Sequence, residues 1–205
     1  MTRRMMTVLA TGAVLATTGV AGAVSSWTSF FSEEGQNWRV CPLNEGVQAM
    51  QASGNFSDNL ALGCTPWPFG DLQNDPDSGG SYWSNPFSEE GASGVEQTQC
   101  ALFADGHEEC DSFPTGSNFH ACFGGFGSQN KGVVTGMECS GSHCDKLRLQ
   151  CQRPVSGRLG NCFWSDEFSD EQHLVDFGPN EYITAVACAG RFCDRMSFYV
   201  CAALP

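Results

Sequence analysis

The chain has 205 residues, among them 12 Cys, 24 Gly and nine Pro, with Lys+Arg 10 against Asp+Glu 23. That balance argues against a nucleic-acid partner, because phosphate binding needs clustered positive charge. Fifteen Phe and five Trp can build a core and argue against disorder, and only the N-terminus carries a long apolar run.

In chain order, the first segment reads as an export signal. Arg3 and Arg4 precede an uncharged, apolar or small stretch from Met5 to Gly22. Ala21-Gly22-Ala23 supplies the small residues a signal peptidase accepts, so residues 1–23 are expected to be removed. The remaining 182 residues lose two Arg and keep eight bases against 23 acids, a formal charge of −15. Residues 24–130 hold 14 of those acids and one base, Arg39. Such a surface repels anionic polymers and favours neutral or cationic partners. No membrane span is expected after signal removal.

The next element is a Trp motif. Trp27-Thr28-Ser29-Phe30-Phe31-Ser32-Glu33-Glu34 matches the stretches beginning at Trp83 and Trp164. Each is followed by an alternating apolar segment that ends in Cys. Leu60, Leu62 and Cys64 alternate with Ala61 and Gly63, and Leu147, Leu149 and Cys151 with Arg148 and Gln150. Met196, Phe198 and Val200 alternate likewise, with one extra residue before Cys201 that a bulge would absorb. Period two marks strands, and Gly54, Gly141 or Gly190 marks the tight loop of a hairpin. Trp27 to Cys64 and Trp164 to Cys201 each span 37 residues, and Trp83 to Cys122 spans 39. The expectation is an all-β, disulfide-rich, pseudo-symmetric repeat domain over 24–205, in units of about 40 residues near 27–64, 83–122, 123–151 and 162–201. Residues 83–151 as one unit with a long insertion is the alternative. Gly- and Pro-rich connectors run from Thr65 to Tyr82 and from Gln152 to Gly160. The Trp and Phe of each copy are expected to fill the shared core.

All 12 Cys lie after residue 24, which reads as a disulfide framework. Cys139-x4-Cys144 and Cys188-x4-Cys193 align with Ala52 and Ser57 of the first copy, where both Cys are missing together. That joint loss pairs Cys139 with Cys144 and Cys188 with Cys193, and the looser copy pairs Cys100 with Cys110. Nearest-neighbour pairing of the rest gives Cys41–Cys64, Cys122–Cys151 and Cys162–Cys201. Zinc is the competing reading, but zinc sites use tighter Cys pairs, and one copy dispenses with both Cys.

Val40-Cys41-Pro42, then Asp58-Asn59-Leu60-Ala61-Leu62-Gly63-Cys64 after a Trp, resembles the repeat of the vitelline membrane outer layer protein family. The resemblance covers mainly residues 27–64. It implies a β-prism of three sheets, an architecture shared with jacalin-type lectins. Asn180-Glu181-Tyr182-Ile183-Thr184-Ala185 is loosely like the calcium-binding segment of the βγ-crystallin Greek key, which gives tandem Greek-key units as the alternative fold.

The candidate site residues are the repeated acids and tryptophans. Asp58, Asp111, Asp145 and Asp194 each follow a hairpin loop. They can accept backbone N–H bonds in an Asx-turn, accept bonds from sugar hydroxyls, or bind Ca2+. Trp27, Trp83 and Trp164 are either core or stacking platforms for sugar rings. Glu33-Glu34, Glu89-Glu90 and Asp170-Glu171 are paired carboxylates of the kind a glycosidase uses, though neighbours on a strand point apart. Asp71, Asp75 and Asp77 lack the Glu that ends a full calcium loop. His107, His120, His143 and His173 are not repeated, and neither Gly-x-Ser-x-Gly nor His-Glu-x-x-His occurs. The expectation is a secreted protein that binds glycan or a cell-surface polysaccharide through several weak, equivalent sites, with no required cofactor and Ca2+ as an option. A structural extracellular protein and a glycan-active enzyme are the alternatives.

Overall fold

The computed structural model describes residues 24–205 except 77–78, 89–97, 103–107, 113–117, 123–130 and 170, and describes 98–102 and 108–112 by their backbone. The described residues form strands and three short 3-10 turns, with no α-helix among them. Alternating apolar residues, tight glycine loops and 12 Cys predict that outcome.

The first repeat contains β1 (Ser26–Trp27), β2 (Trp38–Val40), β3 (Glu45–Ser53) and β4 (Asn59–Pro66). The second contains β5 (Ser81–Trp83), β6 (Thr98–Leu102), β7 (Glu108–Ser112), β8 (Asn118–Ala121), β9 (Val133–Ser140) and β10 (Lys146–Gln152). The third contains β11 (Arg158–Trp164), β12 (Phe168–Ser169), β13 (Leu174–Asp176), β14 (Glu181–Ala189) and β15 (Arg195–Leu204).

These strands make three antiparallel sheets, ordered β1-β4-β3-β13, β2-β9-β10-β5 and β11-β15-β14-β8, with β12 beside β15. Each sheet is centred on one hairpin, and each takes its last strand from another repeat. The first repeat lends β2 to the second sheet, the second lends β8 to the third, and the third lends β13 to the first. The exchange closes on itself. The inner strands β3, β9 and β14 then meet one another about a pseudo-threefold axis, giving a three-sided β-prism. β6 and β7 form a separate two-stranded hairpin. Trp83 and Cys151 lie opposite neighbours on adjacent strands, β5 and β10, of one sheet. Strands β5, β9 and β10 therefore share one sheet, with β2 of the first repeat at its edge.

The core lies inside the prism. Leu60 and Leu62, Leu147 and Leu149, and Met196 and Phe198 all point inward and are fully buried, as period two requires. Each such side chain contributes about 1.5–3 kcal/mol on leaving water. Phe31, Phe87 and Phe168 dock onto Leu60, Leu147 and Met196 by short antiparallel bridges and join this core.

The tryptophans do not fill the core as expected. Trp27, Trp83 and Trp164 pair opposite Gly63, Gln150 and Tyr199, one step out of phase with the inward set, so they stand on the outer faces. Just after each Trp a hydroxyl replaces a backbone acceptor. Leu62 N–H donates to Thr28 Oγ1 (2.9 Å), Leu149 N–H to Ser84 Oγ (2.9 Å) and Phe198 N–H to Ser165 Oγ (3.0 Å). The chain thereby steps off the sheet and returns at the Phe.

Among the described residues five disulfides form: Cys139–Cys144 and Cys188–Cys193 as the repeat alignment predicts, and Cys41–Cys64, Cys122–Cys151 and Cys162–Cys201 as nearest-neighbour pairing predicts. Cys100 and Cys110 face each other in the β6–β7 register, and their side chains lie outside the described residues. The bulge expected before Cys201 is absent. All three hairpins bulge instead on their first strand, at Gln48, Thr135 and Thr184. Val200 therefore takes the core place of Cys64 and Cys151, and Cys201 falls on the outer face, where Cys162 of the adjacent strand meets it. Phe177, the residue after β13, packs into the core at the step where Cys41 follows β2 and Cys122 follows β8.

Ala52 and Ser57 occupy the third hairpin position, both buried, and Ser57 shares the left-handed backbone of Cys144 and Cys193. The double variant Ala52→Cys/Ser57→Cys is expected to form a sixth described bridge and to gain about 2 kcal/mol on the chain-entropy model. Thiol titration and the melting temperature check it.

His120 on β8 stacks on Phe87, 6.0 Å between ring centres, and burial lowers its pKa below 6.5. The unfolded chain then takes up a proton before the native one does, so stability falls as pH drops below 6.5. Glu181, raised by burial, acts in the opposite sense at lower pH. Melting scans are expected to show a smaller loss between pH 7 and pH 5.5 for His120→Phe than for the natural chain.

Candidate functional site

The repeated acids sit at one end of the prism. There the three hairpin tips meet, and Phe56, His143 and Phe192 form a ring cluster with centroid distances of 5.1–5.5 Å. Each tip opens with a glycine at positive φ, 86° at Gly54, 77° at Gly141 and 74° at Gly190. Two non-glycine residues at positive φ follow in every copy, a conformation that costs about 1–2 kcal/mol per residue. Asp58, Asp145 and Asp194 fold their Oδ1 back over the glycine of their own hairpin, where any side chain would collide with it. Their backbone N–H groups close the turns by donating to Asn55, Ser142 and Arg191 carbonyls at 3.2–3.3 Å. This placement fits the turn role. The side chain of Asp111 lies outside the described residues.

Glu33 also serves a tip. Its Oε1 accepts the N–H of His143 (2.9 Å), which fixes a strained turn of another repeat. Glu33, Cys139 and Cys144 cluster closely enough to suggest a metal, but the two Cys are bonded to each other and have no thiolate to offer. Asp71 Oδ1 accepts from Asn44 Nδ2 (2.7 Å), in the connector that packs against residues 153–156 at the other end of the prism. Glu89, Glu90, Asp170, Asp77 and His107 lie outside the described residues.

The tryptophans lead to a different place. Strand pairing aligns the outer faces position by position. On the first sheet Trp27, Gly63, Ala61, Gln51 and Leu174 form one such set. On the second sheet the set is Trp83, Gln150, Arg148, Glu138 and Trp38. On the third it is Trp164, Tyr199, Ser197, Ala187 and Phe119. The first set is small and flat, and Trp27 covers Gly63. The third is filled: Tyr199 and Ser197 are buried, and Trp164 lies against Tyr199 with ring centres 5.3 Å apart. The three faces are therefore not equivalent.

The second face is open and combines aromatic, aliphatic and charged side chains. Trp38, Val40, Trp83, Glu138, Arg148 and Gln150 line a groove of about 400 Å³. Trp38 remains 43% exposed. Arg148 crosses the floor. Its Nε donates to Ser84 O (2.9 Å), its Nη1 to Glu138 Oε2 (3.0 Å), and its guanidinium lies 5.8 Å from the Trp83 ring centre. Three restraints hold one long side chain, so little of its entropy is left to lose on binding. A partly exposed ion pair of this kind adds only about 1 kcal/mol to folding, so stability is a weak reason for it. Of the candidates read from the sequence whose side chains are described, Trp83 lies in this groove. Trp38, Glu138, Arg148 and Gln150 were missed, because β2 reaches the second sheet only by strand exchange.

The chain matches no family model, and neither a curated protein nor a solved structure matches it significantly. Fold alone does not fix function, so the groove carries the functional reading.

Asp145→Asn and Asp194→Asn are expected to lower the melting temperature, and Gly141→Ala and Gly190→Ala to lower it further, with no change in ligand affinity beyond any unfolded fraction. Paired melting and binding curves check it.

Proposed function

We propose that this is a secreted, non-catalytic protein that binds neutral glycan on the outer face of its second sheet. The observation that carries the reading is two partly exposed tryptophans on the walls of a groove whose floor is a fixed Arg148–Glu138 pair. Aromatic faces pack on the apolar C–H faces of sugar rings. A guanidinium donates to hydroxyls, a carboxylate accepts from them, and a glutamine amide does both. The two charges cancel, so the floor selects neither an anion nor a cation. The wider surface carries net negative charge and disfavours nucleic acid and other anionic polymers. Five disulfides point to an oxidising compartment, which agrees with the export signal read at the N-terminus, and no described helix is long and apolar enough to cross a membrane. This reading takes one groove on one face, where the repeats gave an expectation of several equivalent sites.

The test is a glycan screen of the oxidised protein, run with Ca2+ and with chelator. Saturable binding that a free sugar inhibits is expected, unchanged by chelator. Trp38→Ala and Trp83→Ala should each weaken it about tenfold or more, the scale of central aromatic anchors. Trp27→Ala, on another face, should leave it intact. Equal losses for all three would place the ligand outside the groove, and a blank screen with folded protein would favour a structural extracellular role.

A further inference from the structure

A second cavity, of about 150 Å³, adjoins the groove and shares Val40 and Gln150 with it. It continues along the prism past Pro42 and Leu43 to Asn74 and Gln152. We infer that the two cavities are consecutive subsites for one linear, neutral oligosaccharide several rings long, and that the ligand class is the interior of a polysaccharide chain, not a terminal sugar. This rests on the glycan reading above and names its substrate class.

Geometry gives the first argument. Arg148, Gln150 and Gln152 are alternate residues of β10 on the outer face. Alternate residues of a strand lie about 6.7 Å apart, so the row spans about 13 Å. That is longer than a single pyranose ring. A monosaccharide between Trp38 and Trp83 would leave the second cavity unused.

The lining gives the second. Beyond the balanced Arg148–Glu138 pair it carries no charged side chain among the described residues. Its polar groups are Gln150, Gln152, Asn74 and Thr135, all of which both donate and accept, as hydroxyls do. Gln152 Nε2 donates to Asn74 Oδ1 (2.7 Å), which orders the two amides with respect to each other. The apolar part is a continuous wall. Trp38, Val40 and Leu43 are all exposed, Leu43 at 68%, and all line this path. Apolar surface beside groups that donate and accept suits a chain of sugar rings, which offers C–H faces and equatorial hydroxyls in turn. A peptide bound by β-strand addition would need a free sheet edge for main-chain pairing, and this path lies on the face of the sheet.

The test uses ladders of neutral oligosaccharides from one to six rings, in the cello-, manno-, malto- and N-acetylchito- series. Affinities are measured by calorimetry, and the side-chain amides of Asn74, Gln150 and Gln152 are followed by NMR. In the series that binds, affinity is expected to rise about tenfold or more from one ring to the longest member. Short members should shift Gln150 alone, and longer ones Asn74 and Gln152 as well. Leu43→Ser, at an exposed position, should remove most of the gain in affinity with length. Equal affinity for one and six rings, or shifts that never reach Asn74, would overturn the extended site while leaving the glycan reading in place. No binding by any ladder, with the protein folded, would overturn both.

Discussion

Every sheet of this protein is one strand short within its own repeat. The inner strands β3, β9 and β14 each have an edge that their own hairpin does not cover, and buried N–H and C=O groups must be paired. A neighbouring repeat supplies the missing strand, around the ring and back to the start. No repeat is complete alone, so the prism forms as a unit. Most of its pairings within and between repeats join distant residues, the kind of topology that folds slowly. The disulfides bear on this point. Cys41 and Cys122 stand where an exchanged strand ends, and each bridges back to the hairpin of its own repeat. They fix the chain where it crosses from one face to the next.

The third repeat solves the same problem differently. Its exchanged strand β13 is followed by Phe177, which packs on Phe198 with ring centres 5.8 Å apart. Its bridge, Cys162–Cys201, has moved to the outer face, within one sheet. An apolar side chain holds the crossing that a covalent bond holds elsewhere. The cost of the tips is likewise spread over different devices. Two tips carry a bridge, the first carries Ala52 and Ser57 instead, and Glu33 caps the tip of the second repeat. Where geometry fixes the backbone, several chemistries can satisfy it.

The strands and the described disulfides were legible because each rests on local spacing. Period two names the inward residues, and the joint absence of two Cys at Ala52 and Ser57 names a bonded pair. The place of the tryptophans was not legible. Trp27, Trp83 and Trp164 differ from the inward set by one residue of register, and register belongs to the pairing, not to the strand. The face of Cys201 was lost for a related reason: the bulge that sets the phase sits on the partner strand, at Thr184. The groove was least legible. It joins Trp38 of the first repeat to Trp83, Glu138, Arg148 and Gln150 of the second, and only the exchange of β2 brings them together.

That exchange also explains why one face could differ from the other two. Inward positions are locked, because three repeats share one axis and each inward side chain touches the others. Outer positions carry no such constraint, and the aligned sets have separated into a flat face, a filled face and an open one. Gly63, Gln150 and Tyr199 occupy the same step, yet the first is covered by its Trp, the last is buried against its Trp, and the middle one borders the groove. A face built from two repeats can be altered through either. Replacing Leu174 or Phe119 by their counterpart Trp38 would not transplant the groove, since the Arg148–Glu138 floor belongs to the sheet that receives the strand. On the proposed reading, binding in this architecture is a property of the seam between repeats, and internal symmetry specifies the scaffold without multiplying the site.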